Sequence, residues 1–383
     1  MDFKLIQQVK VLSGAGSVGR IGELLKEAGY QKAFIVTTEG RDSLAAKIGT
    51  ALTESDISYI IFDKVRPDPP SDIVETGAEL CKQENCDCVL AVGGGSSIDC
   101  AKGINILRFN DGSVIDYAVK PMQKCTGLIV IPTTSGTGSE LSNGAIITDV
   151  KTGAKLPILC FNCMAEYAVL DPELTASLPE SITRDTGLDT FSHAVEAYTS
   201  ATSDSVTGIV CEAVMQTVVE NLPVVCKDGQ NLRAREKMQS AASLGGWMLY
   251  NNCAHVGHSF AHVVGAELHL IHGQACAYGL PTVLRLIADA VPEKVKKIGE
   301  ILGAFYTGQE KSEEIGEKAA SAYLEFVKKV GLPDVPEFTM TPEKLTELAE
   351  KIVSEPFAGL TPVKIDRPEA LKILQESLKI SIN

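Results

Sequence analysis

A surplus of positive charge is absent from this sequence: 35 lysines and arginines face 49 aspartates and glutamates, a formal net charge of −14. Neutralising a phosphate backbone needs a basic surface, so no nucleic-acid partner is expected. Also missing is an uncharged apolar run of membrane-spanning length, and the opening MDFKLIQQVKVLSG has no apolar stretch behind a basic start. The expectation is a cytoplasmic protein with no membrane partner. No repeat or low-complexity tract stands out, and the Lys- and Glu-rich stretch from Val291 to Lys329 reads as a solvated helix face. The 11 cysteines are odd in number and follow no secretion signal, which favours reduced thiols over a disulfide framework. Cys160 and Cys163 form a CxxC, but no second pair completes a tetrahedral metal site.

What is present fits a folded chain with two cores: 383 residues, 45% hydrophobic and 22% charged. The first half alternates short apolar runs, AFIVTT (33–38), YIIFD (59–63), DCVLAV (87–92) and GLIVIP (127–132), with amphipathic stretches. That pattern predicts a parallel α/β sheet. Near Leu178 the strand signals stop and helical patterns such as DTFSHAVEAYTSA and AREKMQSAASLGGWMLYNN take over. The expected organisation is an α/β domain over 1–178 and an all-α domain over 179–383.

Two glycine motifs compete for a dinucleotide. Gly14-Ala15-Gly16-Ser17-Val18-Gly19 is a literal GxGxxG with Glu39 about twenty residues on, where a ribose-binding acid would sit. A turn that needs positive φ explains the same glycines without a ligand. Gly93-Gly94-Gly95-Ser96-Ser97 follows a predicted strand and opens a helix through Asp99, so bare amides, hydroxyls and a helix N-terminus would all face a pyrophosphate. Thr133-Thr134-Ser135-Gly136-Thr137-Gly138 follows the next strand. Both loops would then lie at the carboxyl edge of a Rossmann-like sheet, where dinucleotides bind.

All six histidines, His193, His255, His258, His262, His269 and His272, fall within about a fifth of the chain. Asp189 and His193 are four apart in a helical pattern and share a face, the device by which one helix offers a metal two ligands. His255, His258 and His262 share another face, and His272 precedes Gly273 at the start of a further segment. One Asp with three His makes an O/N site for Fe²⁺, Zn²⁺ or another divalent ion, although spacing alone does not select the three.

With these motifs in order, the sequence resembles the iron-containing (group III) alcohol dehydrogenase family over nearly its whole length. GGGSSIDCAK resembles the family's pyrophosphate loop, IPTTSGTGSE its second nucleotide loop, GLDTFSHAVEAY its signature helix, HVGHSFAHVVGAELHLIHG its histidine segment and PVKIDRPEALKIL its ending. The resemblance implies the architecture shared with dehydroquinate synthase: a dinucleotide-binding α/β domain followed by a helical metal-binding domain. It implies Asp189, His193, His258 and His272 as metal ligands, with Fe²⁺ first and Zn²⁺ second, and His262 as a proton-relaying catalytic residue near the nicotinamide. The cofactor, NAD with NADP as the alternative, is expected on Thr38, Glu39, Asp68, Gly94, Gly95, Ser96, Ser97, Asp99, Thr133, Thr134, Thr137 and Lys155. GAGSVG becomes a structural turn near an N-terminal hairpin.

The activity implied is hydride transfer between nicotinamide and a small alcohol or aldehyde, in a homodimer or larger homo-oligomer. Alternatives are a dehydroquinate-synthase-like lyase, which would want basic residues that Asn251–Leu280 lacks, and a non-catalytic nucleotide-binding protein. This chain departs from the family at Thr38, where an acid is common, at Ile271, where proline is frequent, and at CAYGLP, which replaces the commoner Asn-Ala-x-Leu-Leu-Pro. His255 and His269 are extra. These departures are expected to reshape the substrate pocket more than the metal site.

Overall fold

The computed structural model describes residues 5–40 and 42–383. The chain divides into two compact units, Ile6–Ser177 and Leu178–Asn383, with Leu5 belonging to the second.

In the first unit the order is β1 (Lys10–Ser13), α1 (Ile21–Ala28), β2 (Lys32–Thr38), α2 (Asp42–Glu54), β3 (Ser58–Val65), α3 (Ser71–Gln83), β4 (Cys88–Gly93), α4 (Gly95–Phe109), β5 (Leu128–Pro132), β6 (Gly144–Thr148), β7 (Lys155–Leu159) and β8 (Tyr167–Leu170). Six of these strands form one sheet in the order β1-β8-β5-β4-β2-β3, parallel throughout. Its central strands β4 and β5 are buried along their entire length, which explains why CVLAV and LIVIP are continuous apolar runs without alternation. On one face Ile21 and Leu25 of α1 and Ile48 and Leu52 of α2 pack against Ile35 and Leu90. From β2 the chain moves outward to β3 and then returns to β4 on the other side of β2, so the strand order reverses at the β2/β4 pair. The carboxyl ends of strands beside such a reversal form a natural ligand crevice.

β1 enters this sheet at its edge, parallel to β8, and not as the arm of a hairpin near the glycine turn. The only hairpin among the described residues is β6–β7, a separate antiparallel pair. Lys102 of α4 ties down this region by donating to the carbonyls of Ser142 and Gly144 at 3.1 and 2.6 Å.

The expectation of reduced thiols needs one correction: Cys125 and Cys163 are disulfide-bonded, 38 residues apart. They lie in the segments leading into β5 and β8, neighbours that the sheet brings together, and the amide of Cys125 donates to Asn162 O at 3.0 Å. Cys160, the other half of the CxxC, is a buried free thiol directed at Ile158 O.

The second unit contains α5 (Glu180–Thr199), α6 (Ser205–Lys227), α7 (Leu232–Asn251), α8 (Val256–Leu268), α9 (His272–Ile287), α10 (Pro292–Ile301), α11 (Ser312–Lys329), β9 (Glu337–Met340), α12 (Pro342–Ser354), α13 (Arg367–Ser377) and β10 (Lys379–Ile382). It is helical except for β9 and β10, which pair in parallel and were not foreseen. α5 is buried on nearly all sides, packed against α6, α7 and α9, and carries polar groups inward at Asp189, His193 and Glu196. A buried helix need not be apolar when its polar groups serve one another or a ligand. α6 is apolar and long enough to cross a membrane by composition, yet Cys211, Met215, Val218 and Leu222 are buried along one face where it packs on α5 and α7.

Candidate functional site

In the helical unit, α5, α8 and α9 converge on one carboxylate oxygen. Nε2 of His193, of His258 and of His272 lie 3.5, 3.6 and 3.5 Å from Asp189 Oδ1. Asp189 and His193 come from successive turns of α5, His258 from the first turn of α8, and His272 from the first residue of α9. The close approach of α9 depends on Gly273: a Cβ there would stand 2.0 Å from the carbonyl oxygen of Asp185, which is helix backbone and has no room to yield. Asp189, His193 and His258 are buried, whereas the His272 side chain is 42% exposed and forms the open side of the cluster.

A fifth donor is present. Cys276 Sγ lies 3.8 Å from Asp189 Oδ1, 3.9 Å from His258 Nε2 and 3.7 Å from His272 Nε2. Asp189, His258, His272 and Cys276 are the four whose ligand atoms all lie within 4.8 Å of one another, so the tightest donor set includes Cys276 and leaves out His193. His193 remains attached through Asp189 and through ring stacking on His258, centroids 4.6 Å apart.

Beneath the donors sits Glu196, also buried. Its Oε1 is 2.7 Å from His258 Nδ1, and its Oε2 accepts from the amides of His255 and His258 at 2.8 and 3.2 Å. Burial opposes the charge, but the His258 and His255 imidazoles and these hydrogen bonds outweigh it and hold the carboxyl down at about 2. An ionised carboxylate only accepts, so Nδ1 of His258 carries a proton and Nε2 is the nitrogen left to face the cluster. His255 caps α8 beside the cluster without joining it. Its Nε2 lies 2.8 Å from the Thr199 hydroxyl, which itself donates to Val195 O.

His262, one turn beyond His258, stacks on His272 with centroids 5.5 Å apart, and its Nδ1 is 3.2 Å from Glu355 Oε1. His269 is exposed at the left-handed C-cap of α8. Of the six histidines, four therefore gather, one positions, and one faces solvent.

The cluster's electrostatics point to a cation. Burial disfavours charge on Asp189, yet the His193 and His272 rings hold its carboxyl well below the usual range. Cys276 is likewise pulled down against burial by His258 and His272, and His272 is raised against burial to about 10 by Cys276 and Asp189. His193, where burial dominates, is lowered to about 4. The His272 imidazolium offsets the Asp189 charge, the role a divalent ion takes over when nitrogen lone pairs turn inward. The donor set fits a first-row divalent ion in both kind and spacing.

In the α/β unit the two polar loops leave the sheet side by side, because Gly93 of β4 and Pro132 of β5 are register partners. A Cβ on Gly95 would stand 3.0 Å from the Thr137 methyl, so the loops touch across bare backbone. Ser97 Oγ and Thr133 Oγ1 are buried without a hydrogen-bond partner. Orphaned hydroxyls beside the open amides of a helix N-terminus suit a phosphate. Thr38 ends β2, next to β4 across the strand reversal, and the exposed Glu39 follows it in a turn. Asp68 and Lys155 pair with each other at 2.7 Å. Asp99 is occupied differently: its Oδ2 accepts the Ile146 amide at 3.0 Å, tying α4 to β6. The GAGSVG turn already holds an anion of its own, since the amides of Gly16 and Val18 donate to the carboxylate of buried Asp171, each at 3.1 Å.

Reading the sequence alone missed Glu196, Cys276, Asp171 and Glu355. Two had a signal: Glu196 follows His193 by three residues and Cys276 follows His272 by four, both helix-face spacings. Asp171 and Glu355 reach partners 155 and 93 residues away, which no local pattern announces.

A parallel nucleotide-type sheet followed by a helical unit with a buried O/N/S cluster defines a metal- and dinucleotide-dependent class of enzyme. Comparison with known proteins specifies which. The family model for iron-containing alcohol dehydrogenase matches residues 8–172, and that for the Fe-containing alcohol dehydrogenase family's C-terminal region matches residues 183–378. The chain is 34% identical over 324 residues to the NAD-dependent methanol dehydrogenase of Bacillus methanolicus, covering 84% of this chain and 85% of that one. It is 32% identical over 376 residues to the 1,3-propanediol dehydrogenase of Citrobacter freundii, covering 95% and 96%. The solved alcohol dehydrogenase from Oenococcus oeni superposes with a TM-score of 0.92 at 28% identity, covering 98% of this chain and 100% of that one. The chain belongs to the iron-containing alcohol dehydrogenase family, and it is an NAD(P)-dependent oxidoreductase of the alcohol dehydrogenase class.

Proposed function

We propose that this enzyme interconverts a small primary alcohol and its aldehyde, with NAD preferred over NADP, around a divalent ion held by Asp189, His193, His258 and His272. The observation that carries the reading is the meeting of three imidazole nitrogens on Asp189 Oδ1 at 3.5–3.6 Å, one of them on the open side. When bound, the ion supplies Lewis acidity to the substrate oxygen and the nicotinamide supplies or accepts the hydride. The chain's own residues prepare that chemistry. Glu196 fixes the His258 tautomer, and the Asp189 carboxylate keeps the site's charge suited to a cation. His262, anchored through Nδ1 to Glu355, has Nε2 to take or return the hydroxyl proton.

The residues 1–178 would carry the nucleotide, with Gly94, Gly95, Ser96, Ser97, Thr133, Thr134 and Thr137 on the pyrophosphate and Thr38 and Glu39 on the ribose. Glu39 disfavours a 2′-phosphate by repulsion, which supports NAD. Residues 179–383 would carry the metal. The named relatives act on methanol and 1,3-propanediol, which supports a short, unbranched substrate. The reading includes a homodimer or larger assembly and a cytoplasmic location. The test strips the protein with chelator, restores Fe²⁺, Zn²⁺, Mn²⁺ or Mg²⁺ anaerobically, and follows NADH and NADPH absorbance with short aldehydes, beside His258→Ala. Metal-dependent turnover lost in the variant is expected. No turnover with either nicotinamide under any metal would overturn the reading.

A further inference from the structure

We infer that the Cys276 thiolate is itself a ligand of the bound ion in the substrate-free enzyme, so that this chain holds a sulfur-containing metal site. The inference rests on reading Asp189, His258 and His272 as metal ligands; with Cys276 they make the tightest four-donor set, and His193 is a fifth donor outside it. Cys276 Sγ stands almost equidistant from their donor atoms, at 3.8, 3.9 and 3.7 Å. Around a tetrahedral ion with metal–nitrogen bonds of ~2.1 Å and a metal–sulfur bond of ~2.3 Å, neighbouring nitrogen and sulfur atoms lie about 3.6 Å apart. The oxygen–nitrogen edges at 3.5 and 3.6 Å compare with about 3.4 Å for the same geometry. The sulfur edges, at 3.7–3.9 Å, are slightly longer than the tetrahedral value, so ligation needs only a short inward movement of Sγ.

The helices explain how it arrives there. α5 presents Asp189 and His193 at i and i+4, and α9 repeats the device with His272 and Cys276. Cys276 heads the CAYGLP segment, one helical turn after His272. A metal-bound thiolate is an anionic, soft donor. Binding would break the S–H bond, release its proton to solvent and form a metal–sulfur bond. The added softness favours Zn²⁺ and Co²⁺ relative to the same site without sulfur.

The test uses Co²⁺ as the probe in the full-length protein, comparing the parent with Cys276→Asn and Cys276→Ser. The parent should show both ligand-field bands in the visible and a thiolate-to-cobalt charge-transfer band in the near ultraviolet. Both variants should keep ligand-field bands and lose the charge-transfer band. Competition against a chromogenic chelator should show Zn²⁺ affinity falling by about tenfold or more in Cys276→Asn, at least as much as losing an outer-shell partner. Fe²⁺ affinity should fall less. Cobalt bound in the parent with no charge-transfer band, or the same band in both variants, would overturn the inference and leave the Asp/His site standing. Failure of the parent to bind cobalt, zinc or iron would overturn both.

Discussion

Glu196 gives the sharpest test of how the site is held. In Glu196→Gln the side chain keeps its shape but exchanges one acceptor oxygen for an NH₂ group. The carboxylate now accepts from three donors, His258 Nδ1 at 2.7 Å and the amides of His255 and His258 at 2.8 and 3.2 Å. In one orientation the NH₂ faces two backbone amides, and in the other it faces the Nδ1 proton; either way donors oppose donors in a buried place. Charge-assisted hydrogen bonds contribute about 1.5–3 kcal/mol each, so losing one or two destabilises the protein by roughly 2–5 kcal/mol. Freed from its orienting carboxylate, His258 should bind metal about 10- to 100-fold more weakly. The first quantity is read from urea unfolding of the metal-free protein, and the second from Zn²⁺ competition with a chelator. If Glu196→Gln unfolds at the same urea concentration and holds zinc as tightly as the parent, then Glu196 does not orient His258.

Three further outcomes follow from the same geometry. Asp171→Ala should strip the acceptor from the Gly16 and Val18 amides, costing roughly 1–3 kcal/mol for the buried Val18 donor and less for the solvent-accessible Gly16, and leave NADH affinity unchanged; weaker NADH binding in fluorescence titration would mean that the GAGSVG turn serves the cofactor after all. Thr133→Val removes a buried hydroxyl that has no partner in the structure, so the melting temperature should hold or rise while NADH affinity falls, and the opposite pattern would take Thr133 out of the cofactor site. Burial raises the Asp99 carboxyl from 3.8 to about 6. Because the folded protein holds that proton more tightly, stability from this group is complete below about pH 4 and is lost as pH rises through about 6. Asp99→Asn should therefore gain on the parent across that window by about 3 kcal/mol, and a difference independent of pH would refute the assignment.

Local patterns carried much of this. The four runs recognised as strands became β2, β3, β4 and β5; β2, β4 and β5 are buried parallel strands, which must be apolar, and β3 is the half-exposed edge strand beside β2. β1 and β8 escaped notice: each is four residues long, and they count as strands only because they pair with each other and β8 also with β5. The four-residue strands β9 and β10 were hidden for the same reason, their partners lying some forty residues apart.

Chemical identity lay in the sequence, and coincidence in space did not. The chain's own pattern named the loops after β4 and β5, the histidine cluster and the family they resemble, since glycine, hydroxyl and helix-spacing signals are local and survive without a fold. It could not choose among the histidines. Only tertiary packing separated His255, which caps α8 against Glu196 and Thr199, from His258 one turn on, whose Nε2 reaches Asp189. Only packing let α9 approach α5 at Gly273, which brought Cys276 to the donors, and only packing filled the GAGSVG turn with Asp171. A ligand set is a statement about distances between side chains on different helices, and those distances exist only once the helices are packed.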